Sequence, residues 1–464
     1  MGLIEVPTEP TPVTAPRHVL GDLIWSPSAA ARMARLAVVS VAFLLGFVAL
    51  KFPVESLMVP QLYRKDFLQE YLLVRAIAEG TNPYLPIPVL AGRFLGPLPV
   101  PLFPHPTPHP PTVGLLAFPL AFLDYSAAAT VWVILEMGCL VASAYLLGRI
   151  AGFRMGAQAA LVTTVIALAW FPTTSEIVLG QLMLPILLLL AGAIDSLRSG
   201  RRLLGGTLVG VSILLKPVAW PVLLVFVVRR DWRALAAAVS TALVGYGAAV
   251  WALGASTVFD YLTRVLPMVT RLYRASDGNI SVWTVGWRVF DGTRSEVLAG
   301  ISAPPLVHST QTAVVVSAAL PAIILLGSLI AVRRQRSEAR SLGLMICVSV
   351  LVSPISWGHY LILAAIPAAE VASWLIRHRL PSRETNAALI VAMLLLPGNE
   401  WTRLALTIAG NTAMPDGTVQ IPFASALLTL GPAVATAALA ALLLALPDTP
   451  GGSPKREGAM QRED

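Results

Sequence analysis

Charge is scarce in this sequence. Only 12% of the 464 residues are charged and 56% are hydrophobic, whereas a soluble globular domain has about 25% charged and about 45–50% apolar residues. Half the usual charge over this length cannot cover a water-facing surface. The composition therefore excludes a cytosolic enzyme, a secreted domain, a DNA-binding protein and a disordered scaffold. It indicates an all-α polytopic membrane protein.

Cysteine and lysine are also rare. Both cysteines, Cys139 and Cys347, lie inside apolar runs, which indicates small buried side chains rather than a disulfide or a metal site. Only four residues are lysines, so the 33 basic residues, against 25 acidic ones, are mostly arginines. They form short clusters between apolar runs, a pattern typical of cytoplasmic loops. We expect membrane lipids, and no nucleic acid, among the partners.

Apolar runs near the length of about 20 residues that crosses a bilayer are abundant. We predict one membrane domain over residues 36–446, with about 12 to 13 transmembrane helices, between cytoplasmic tails at 1–35 and 447–464. Arginines before the first run predict an uncleaved first span. The apolar runs are 36–52, 111–123, 127–148, 157–171, 182–195, 203–228, 235–253, 312–332, 340–353, 359–376, 386–397 and 422–446.

Arginine clusters assign the sides of these runs, because such clusters favour the cytoplasm. The run 203–228 begins and ends at clusters, which predicts two short helices that turn at Lys216-Pro217, since proline ends a helix. The alternative is one kinked span, which inverts the sides of everything that follows. The four clusters are Arg198, Arg201 and Arg202; Arg229, Arg230 and Arg233; Arg333, Arg334, Arg336 and Arg340; and Arg377, Arg379 and Arg383.

Two long polar segments, 53–110 and 254–311, are predicted to be extracytoplasmic loops. Counting spans from the first run places one loop outside, and the basic clusters place the other there. However, four apolar runs separate the first loop from the cluster at Arg198, where an odd number is required. Three explanations stay open: the run 111–123 does not cross fully, part of 85–103 enters the membrane, or Arg149 and Arg154 lie outside.

The first outer loop carries a candidate catalytic carboxylate. The pattern from Asp66 to Glu79 suits a helix with Phe67, Tyr71 and Val74 on one face. Asp66 comes at its start, where the helix dipole stabilises a negative charge. It is either a catalytic group or an ordinary N-cap.

Lys216 is the only charged residue in the run 203–228. An ionisable group inside a membrane segment is costly, which makes it a candidate functional group. The alternative is a lysine that extends its amine to the membrane surface. If the run is a hairpin, Lys216 emerges on the same face as Asp66.

The second outer loop is rich in arginines and aromatic residues. Arginine binds phosphate with a planar fork, and aromatic rings stack on sugars or lie at lipid headgroups. The alternative is an interfacial belt that binds anionic lipid. In a later outer turn, His359 follows Trp357 closely and is either packed or functional. The candidates of the second loop are Arg264, Arg271, Arg274, Arg288, Arg294, Tyr273, Asn279, Ser281, Trp283 and Trp287.

Signatures of nucleotide and metal chemistry are absent from the sequence. It has no P-loop, no dinucleotide fingerprint and no hydrolase elbow, and His105 and His109 lie in a proline-rich segment without metal-ligand spacing. We predict no metal and no cofactor. A carboxylate, a lysine, a histidine and several arginines on one face suit group transfer with a general base and an anionic leaving group. Because nucleotide-activated donors are cytoplasmic, an outward-facing transferase needs a donor such as a sugar on a lipid phosphate.

Short motifs follow one another between residues 66 and 360. They are Asp66-Phe67 with Tyr71; Gly80-x-Asn82-Pro83-Tyr84; Pro110-Pro111 with Pro119; Gly180-Gln181; Lys216 with Trp220-Pro221; Asn279-x-Ser281 with Arg288; and Ser353-Pro354-x-Ser356-Trp357-x-His359. In this order they resemble the family-87 glycosyltransferases of the GT-C superfamily, which include polyprenyl-phosphate-mannose mannosyltransferases and related arabinofuranosyltransferases. Two features depart from the family: Tyr360 stands where a second histidine is common, and Pro97–Pro111 is unusually proline-rich.

The resemblance implies a GT-C-type bundle and an integral membrane glycosyltransferase. It would transfer a sugar, mannose before arabinofuranose, from a polyprenyl-phosphate donor to an extracytoplasmic glycan or glycolipid acceptor, with inversion. Asp66 is expected to be the catalytic base. We expect Lys216, Arg271, Arg274 and His359 to bind the donor phosphate. The expected substrate-binding residues are Tyr71, Tyr84, Gln181, Asn279 and Trp357.

Two other classes of function stay open. One is a transporter or flippase of lipid-linked saccharide, although the internal repeat common in transporters is not evident. The other is a catalytically inactive assembly subunit. A flippase has no need of the loop carboxylate, and an inactive subunit needs neither Asp66 nor Lys216.

Overall fold

The chain is almost entirely helical. The computed structural model describes residues 29–294, 300–398, 400–410, 412–413 and 418–447. Within these residues helices dominate and the three strands have two residues each, which confirms the all-α class. Residues 1–28 and 448–464, which make up most of the two predicted tails, lie outside the described residues.

The helices are numbered here in chain order. The α-helices are α1 (Ala29–Ala49), α2 (Lys51–Glu55), α3 (Phe67–Ala78), α4 (Ile87–Phe94), α5 (Pro111–Leu116), α6 (Tyr125–Ile150), α7 (Ala157–Leu168), α8 (Phe171–Leu179), α9 (Met183–Arg198), α10 (Arg202–Leu215), α11 (Leu223–Arg229), α12 (Trp232–Leu253), α13 (Ala255–Asp260), α14 (Leu266–Leu272), α15 (Trp283–Phe290), α16 (Thr310–Arg334), α17 (Glu338–Val352), α18 (Ala365–Arg377), α19 (Ser382–Leu395), α20 (Glu400–Ala409), α21 (Phe423–Leu427) and α22 (Gly431–Ala445).

Short 3₁₀ and π turns and a small sheet complete the described chain. The 3₁₀ helices are Gln61–Arg64, Phe118–Phe122, Pro217–Val222, Gly358–Ala364 and Leu428–Leu430, and Tyr261–Val265 is a π-helix. The strands are β1 (Ile301–Ser302), β2 (Thr412–Ala413) and β3 (Val419–Gln420). In the sheet, β3 lies between β1, to which it is parallel, and β2, to which it is antiparallel.

Six helical stretches of the described chain are long and apolar enough to cross a membrane, and two bent pairs raise the number to eight. The pair α7 and α8 bends by 88°, and the pair α19 and α20 by 70°. The predicted 12 to 13 spans also count shorter apolar helices such as α10, which has 14 residues. A multi-pass membrane protein is therefore confirmed. The six stretches are Leu36–Glu55, Tyr125–Ile150, Trp232–Leu253, Thr310–Arg334, Gly358–Arg377 and Phe423–Ala445.

The apolar run 111–123 is not a span. It forms the six-residue helix α5 and a five-residue 3₁₀ helix. At about 1.5 Å per residue, α5 extends about 9 Å, against about 30 Å of hydrocarbon. This supports the first of the three explanations for the even number of runs between the first loop and Arg198. Arg149 contacts Asp195 at 3.3 Å, one turn before Arg198, so it lies at the end of the bundle that carries the basic clusters.

The run 203–228 is a hairpin, as predicted. Helix α10 ends at Leu215, and the chain continues through the 3₁₀ helix that begins at Pro217. At the far end of α10, the Arg202 guanidinium lies 3.3 Å from the Asp231 carboxylate and 2.5 Å from that of Glu338. The two ends of the run therefore meet. Lys216 lies at the turn, about 21 Å along α10 from Arg202 at 1.5 Å per residue.

Small residues hold this hairpin against α12. A Cβ at Gly206 would lie 2.1 Å from the Ala234 carbonyl oxygen, and one at Gly210 would lie 2.6 Å from that of Ala238. Glycines four residues apart thus face alanines four residues apart. Membrane helices approach closely in this way because lipid provides no hydrophobic force between them. This contact between α10 and α12 fixes the position along the bundle of the α10 end, where Lys216 follows.

The segment 53–110, predicted as the first outer loop, is packed against the rest of the protein. Helix α3 matches the predicted helix, and Phe67, Tyr71 and Val74 are all buried. The Phe67 ring stacks on Trp132 with centroids 5.0 Å apart and on Tyr125 at 6.2 Å. These contacts tie α3 to α6. Asp66, at the start of α3, is therefore held against the membrane bundle.

The second outer segment is fastened by one buried arginine. Arg288 on α15 donates to the carbonyl oxygens of Ser276, Asp277 and Asn279 and to the Thr429 hydroxyl. Burial lowers the pKa of Arg288 to about 10. A guanidinium carries five donors, so it can bind several carbonyls of one turn at once. Arg288 thereby fixes the turn before α15.

Candidate active site

One large cavity opens where the two segments predicted as outer loops meet the bundle. Its volume is about 1510 Å³, and its walls come from both outer segments, the α8–α9 turn, the Lys216 turn and the turn before Gly358–Ala364. Candidate residues that are far apart in sequence therefore share one surface. The predicted site residues that line it are Asp66, Gln181, Lys216, Arg271, Trp357 and His359.

Asp66 is not an N-cap in the usual sense. It occupies the position before α3, but its carboxylate accepts no capping hydrogen bond from the helix. Instead, Oδ2 accepts a hydrogen bond of 2.7 Å from Nε2 of Gln181, and Oδ1 lies 3.4 Å from Nε2 of Gln69. Asp66 therefore occupies the N-cap position without capping α3 through its side chain, and it lines the cavity instead.

Gln181 connects the carboxylate to the lysine. While its amide nitrogen donates to Asp66, its amide oxygen accepts a hydrogen bond of 3.2 Å from Nζ of Lys216. The ammonium also lies 4.5 Å from the centre of the Tyr360 ring, a cation–π contact. Lys216 therefore points into the cavity rather than to the membrane surface. The Tyr360 ring, at the position where the family often has a second histidine, packs against the Lys216 ammonium.

The turn between α8 and α9 places Gln181. Gly180 has φ 71°, a left-handed conformation that suits glycine at a helix end, and a Cβ there would lie 2.8 Å from Cβ of Phe67. Glu176 accepts hydrogen bonds from the amides of Met183 and Leu184 at the start of α9. These constraints explain why a glycine precedes the glutamine.

Lys65 binds the last carbonyl oxygens of α8, just before the same turn. Its Nζ donates to the carbonyl oxygens of Ile177 and Val178 at 3.0 and 2.8 Å, and to the Ser56 hydroxyl at 2.9 Å. A cation is stabilised at a helix C-terminus by the dipole. Burial nevertheless lowers the pKa of Lys65 to about 8. Lys65 thus links Asp66, its neighbour, to the end of α8.

The electrostatics of the cavity tune the Asp66 carboxyl. Burial raises its pKa, and the nearby Glu70 carboxylate raises it further. The hydrogen bond from Gln181 and the charges of His109 and Lys216 lower it. The donors therefore oppose the effect of burial on the Asp66 pKa.

An aromatic wall faces the carboxylate. The Trp357 and Tyr273 rings meet edge to face with centroids 4.9 Å apart. Nε2 of His105 lies 2.7 Å from the Tyr273 hydroxyl and Nδ1 lies 2.7 Å from the Pro106 carbonyl oxygen. Because a carbonyl only accepts, Nδ1 of His105 carries the proton and Nε2 accepts from Tyr273. Hydrogen bonds thus hold both ring nitrogens of His105 and the Tyr273 hydroxyl in this wall.

His359 provides a polar group without a partner. It is buried and lines the cavity, and its Nε2 has no hydrogen-bond partner among the described residues. A buried polar atom without a partner is costly. A ligand in the cavity would supply the missing hydrogen bond.

Four predicted site residues lie outside this cavity. Tyr71 and Tyr84 are buried, and their hydroxyls donate to the carbonyl oxygens of Leu123 and His109. Arg274 lies over the Trp287 ring at 4.2 Å and 3.9 Å from Asp291. The fourth, Asn279, bonds the backbone of its own turn and the backbone on both sides of Ile355. Their roles toward substrate stay predictions, and in this structure they support the walls.

Sequence reasoning missed two residues of the site, His109 and Glu70. Nδ1 of His109 lies 2.8 Å from Oε1 of Glu70, and both side chains are fully buried. His109 lines the cavity. Glu70 lies one helical turn after Asp66 on α3, which was the one available signal. The proline-rich context of His109 gave none.

The described chain is thus an all-helical membrane bundle whose cavity holds a carboxylate and a lysine bridged by a glutamine. The sequence profile of glycosyltransferase family 87 matches residues 107–354, more than half of the chain. The protein belongs to glycosyltransferase family 87. No solved structure matches the chain significantly.

Curated relatives match parts of the chain. An alpha-(1->3)-arabinofuranosyltransferase of Mycobacterium tuberculosis is 30% identical over 165 residues, which cover 35% of this chain and 37% of the relative. A protein of the same name from Corynebacterium glutamicum is 25% identical over 205 residues, covering 44% and 45%. A polyprenol-phosphate-mannose-dependent alpha-(1-2)-phosphatidylinositol pentamannoside mannosyltransferase of Mycolicibacterium smegmatis is 27% identical over 269 residues, covering 56% and 59%. The chain thus spans between 37% and 59% of these relatives.

Proposed function

We propose that this protein is an integral membrane glycosyltransferase. It transfers a sugar from a polyprenyl-phosphate donor to an extracytoplasmic glycan or glycolipid acceptor and inverts the anomeric centre. The observation that carries this proposal is the connected set Asp66, Gln181 and Lys216 in one cavity. It supplies a base and a cation on neighbouring positions, and the family membership supports the class of reaction.

In the proposed mechanism, the acceptor hydroxyl binds beside Asp66. Asp66 takes the hydroxyl proton as the acceptor oxygen attacks the anomeric carbon, and the bond from that carbon to the phosphate oxygen breaks. The departing lipid phosphate gains a negative charge. Lys216 and Arg271 line the cavity and offer fixed positive charges to the phosphate, while His359 offers a hydrogen bond. Preorganised groups stabilise such a charge without reorganisation. Trp357 offers a surface for a sugar ring.

The donor sugar is proposed to be mannose first and arabinofuranose second. One relative carries mannose in its name and two carry arabinofuranose, so both donors belong in the test. We propose that the basic end of the bundle and both chain ends are cytoplasmic and that the cavity is extracytoplasmic. Support comes from the four arginine clusters, which favour the cytoplasm, and from Lys216, which lies at the opposite end of α10 from Arg202.

The decisive experiment measures sugar transfer by purified protein in detergent. Wild type is compared with Asp66→Asn on radiolabelled polyprenyl-phosphate mannose, with a membrane lipid extract as acceptor, and then on the arabinofuranosyl donor. Loss of the base should lower transfer by about 10²–10⁴-fold while donor binding is retained. Asp124→Asn is the matched control, because Asp124 caps α6 on the surface through the Ala127 amide and should keep its activity.

The outcomes separate the classes of function. Equal transfer by wild type and Asp66→Asn would remove Asp66 from the mechanism. Absence of transfer from both donors by wild type would contradict the transferase. The protein could instead move lipid-linked saccharide across the membrane of vesicles. If wild type and Asp66→Asn did so equally well, a flippase would replace the glycosyltransferase as the proposed function.

A further inference from the structure

A second acid–base pair lies beside Asp66 and has no part in the mechanism so far. Glu70 and His109 are 0% and 1% exposed, and their closest atoms, Oε1 and Nδ1, are 2.8 Å apart. Neither carboxylate oxygen of Glu70 nor Nδ1 of His109 makes an aligned hydrogen bond among the described residues, so the pair meets as a close contact of two titratable groups. A buried carboxylate is costly unless a cation or donor compensates it. His109 is the group that does so.

The pairing fixes what His109 offers to the cavity. The 2.8 Å contact sets Nδ1 of His109 against the Glu70 carboxylate and leaves Nε2 as the other ring nitrogen. The backbone around His109 is held as well, because its carbonyl oxygen accepts a 3.0 Å hydrogen bond from the Tyr84 hydroxyl. Nε2 has no partner among the described residues, and His109 lines the cavity. The free ring nitrogen is thereby the one available to a ligand.

Ionisable groups surround the His109 ring. Glu70 binds it directly, and Asp66 and Glu70 are both electrostatic neighbours of the site. Lys65, Lys216 and His359 are further ionisable groups of the same cavity. His109 therefore lies among acidic and basic groups beside the cavity.

We propose that His109 is a second proton-transfer residue of the active site, which protonates the departing lipid phosphate through Nε2, and that Glu70 is its positioning residue. The inference rests on the proposed transfer reaction and deepens it. Asp66 removes a proton from the acceptor, and His109 supplies one to the leaving group. Two ionisable groups with opposite tasks on the two sides of one bond change are a common arrangement in transfer enzymes.

The step balances in atoms and charge. The bond from the anomeric carbon to the phosphate oxygen breaks and its electron pair stays on the phosphate. The acceptor oxygen bonds to the carbon and its proton passes to Asp66. The Nε2 proton of His109 passes to the phosphate oxygen, which leaves a neutral imidazole that keeps its Nδ1 proton beside Glu70. Solvent then removes the proton from Asp66 and returns one to His109.

The test is the pH profile of kcat for sugar transfer in wild type, His109→Gln and Glu70→Gln. Wild type should lose activity at high pH as the imidazolium deprotonates. His109→Gln should have kcat lower by about 10²–10⁴-fold and should lack that alkaline limb. In Glu70→Gln the limb should move to lower pH, because the carboxylate that stabilises the imidazolium is gone. A merely structural residue would not move the limb.

His105→Gln is the matched control. His105 lies in the same segment and lines the same cavity, but both its ring nitrogens are bonded, to Pro106 and Tyr273. Its variant should keep the alkaline limb. A further measurement is rescue of His109→Ala by added imidazole, which restores a missing proton donor and not a missing scaffold contact. Size-exclusion profiles in detergent check folding, and Glu70→Gln carries the test if position 109 tolerates no change.

The possible outcomes of this test either support or overturn the proposed role of His109. A lost limb in His109→Gln with imidazole rescue of His109→Ala supports the proposal. Transfer by wild type with an unchanged limb in both His109→Gln and Glu70→Gln overturns it and leaves the proposed function intact. If wild type transfers neither sugar, the proposed function fails and this inference fails with it.

Discussion

The bridge formed by Gln181 yields the sharpest test of the active site. Its Nε2 donates to the Asp66 carboxylate at 2.7 Å and its Oε1 accepts from Lys216 at 3.2 Å. Gln181→Leu keeps the approximate volume and removes both contacts. If the bridge keeps Asp66 ionised and Lys216 in place, the variant should transfer sugar more slowly without losing its fold.

The magnitude follows from the hydrogen bond to a charged group. Such a bond contributes about 1.5–3 kcal/mol, and about 1.4 kcal/mol corresponds to a tenfold change in rate. We therefore expect kcat/KM at neutral pH to fall roughly 10- to 150-fold. The hydrogen bond from Gln181 lowers the Asp66 pKa against the effect of burial, so its loss raises that pKa.

The pH dependence of sugar transfer should change in a defined direction. A base works as its carboxylate, so activity falls as pH drops through the pKa of Asp66. In Gln181→Leu this acid limb should move to higher pH, and part of the lost activity should return when the pH is raised. The assay is transfer from radiolabelled donor lipid between pH 5 and 9, with donor binding measured separately.

Gln69→Leu is the comparison variant. Gln69 also faces Asp66 through Nε2, but at 3.4 Å, beyond the usual range of a strong hydrogen bond. Its loss should cost roughly two- to threefold, the equivalent of about 0.5 kcal/mol. An acid limb of Gln181→Leu that coincides with that of wild type would refute the reasoning. So would an equal effect of the two substitutions.

Two further predictions follow from the charges of the bundle. Lys216→Met should lower kcat/KM by about 10²–10³-fold and raise KM for the donor lipid, measured in the same transfer assay, and an unchanged KM would contradict its phosphate contact. Arg198→Ala should lower the free energy of unfolding by about 3 kcal/mol, because it leaves the buried Glu370, 2% exposed, without its 2.5 Å partner. This value is the lower end for breaking a buried pair, since Arg198 is itself 34% exposed. Thermal unfolding in detergent checks this against Lys51→Ala, whose exposed pair with Glu55 at 4.0 Å should contribute less than about 1 kcal/mol.

Much of the architecture is determined by local sequence. The scarcity of charge requires a membrane bundle, since no water-facing surface can be built from it. Lys216-Pro217 between two arginine clusters predicted a hairpin, because proline ends a helix and both clusters favour one side, and the structure confirms it. The helix after Asp66 was also predictable, since its apolar positions repeat with the helical period. These features depend on residues close together in the chain.

The site itself is decided by tertiary contacts. Gln181 joins Asp66, 115 residues before it, to Lys216, 35 residues after it, and no local pattern encodes such a meeting. Tyr71 and Tyr84 lie in motifs of the family, yet their hydroxyls bond backbone carbonyls, since only packing decides which way a side chain points. His109 carried no spacing signal because its neighbour Glu70 belongs to another element. Periodicity and charge thus fix the spans and turns, whereas the pairing of polar groups across distant turns depends on how the helices pack.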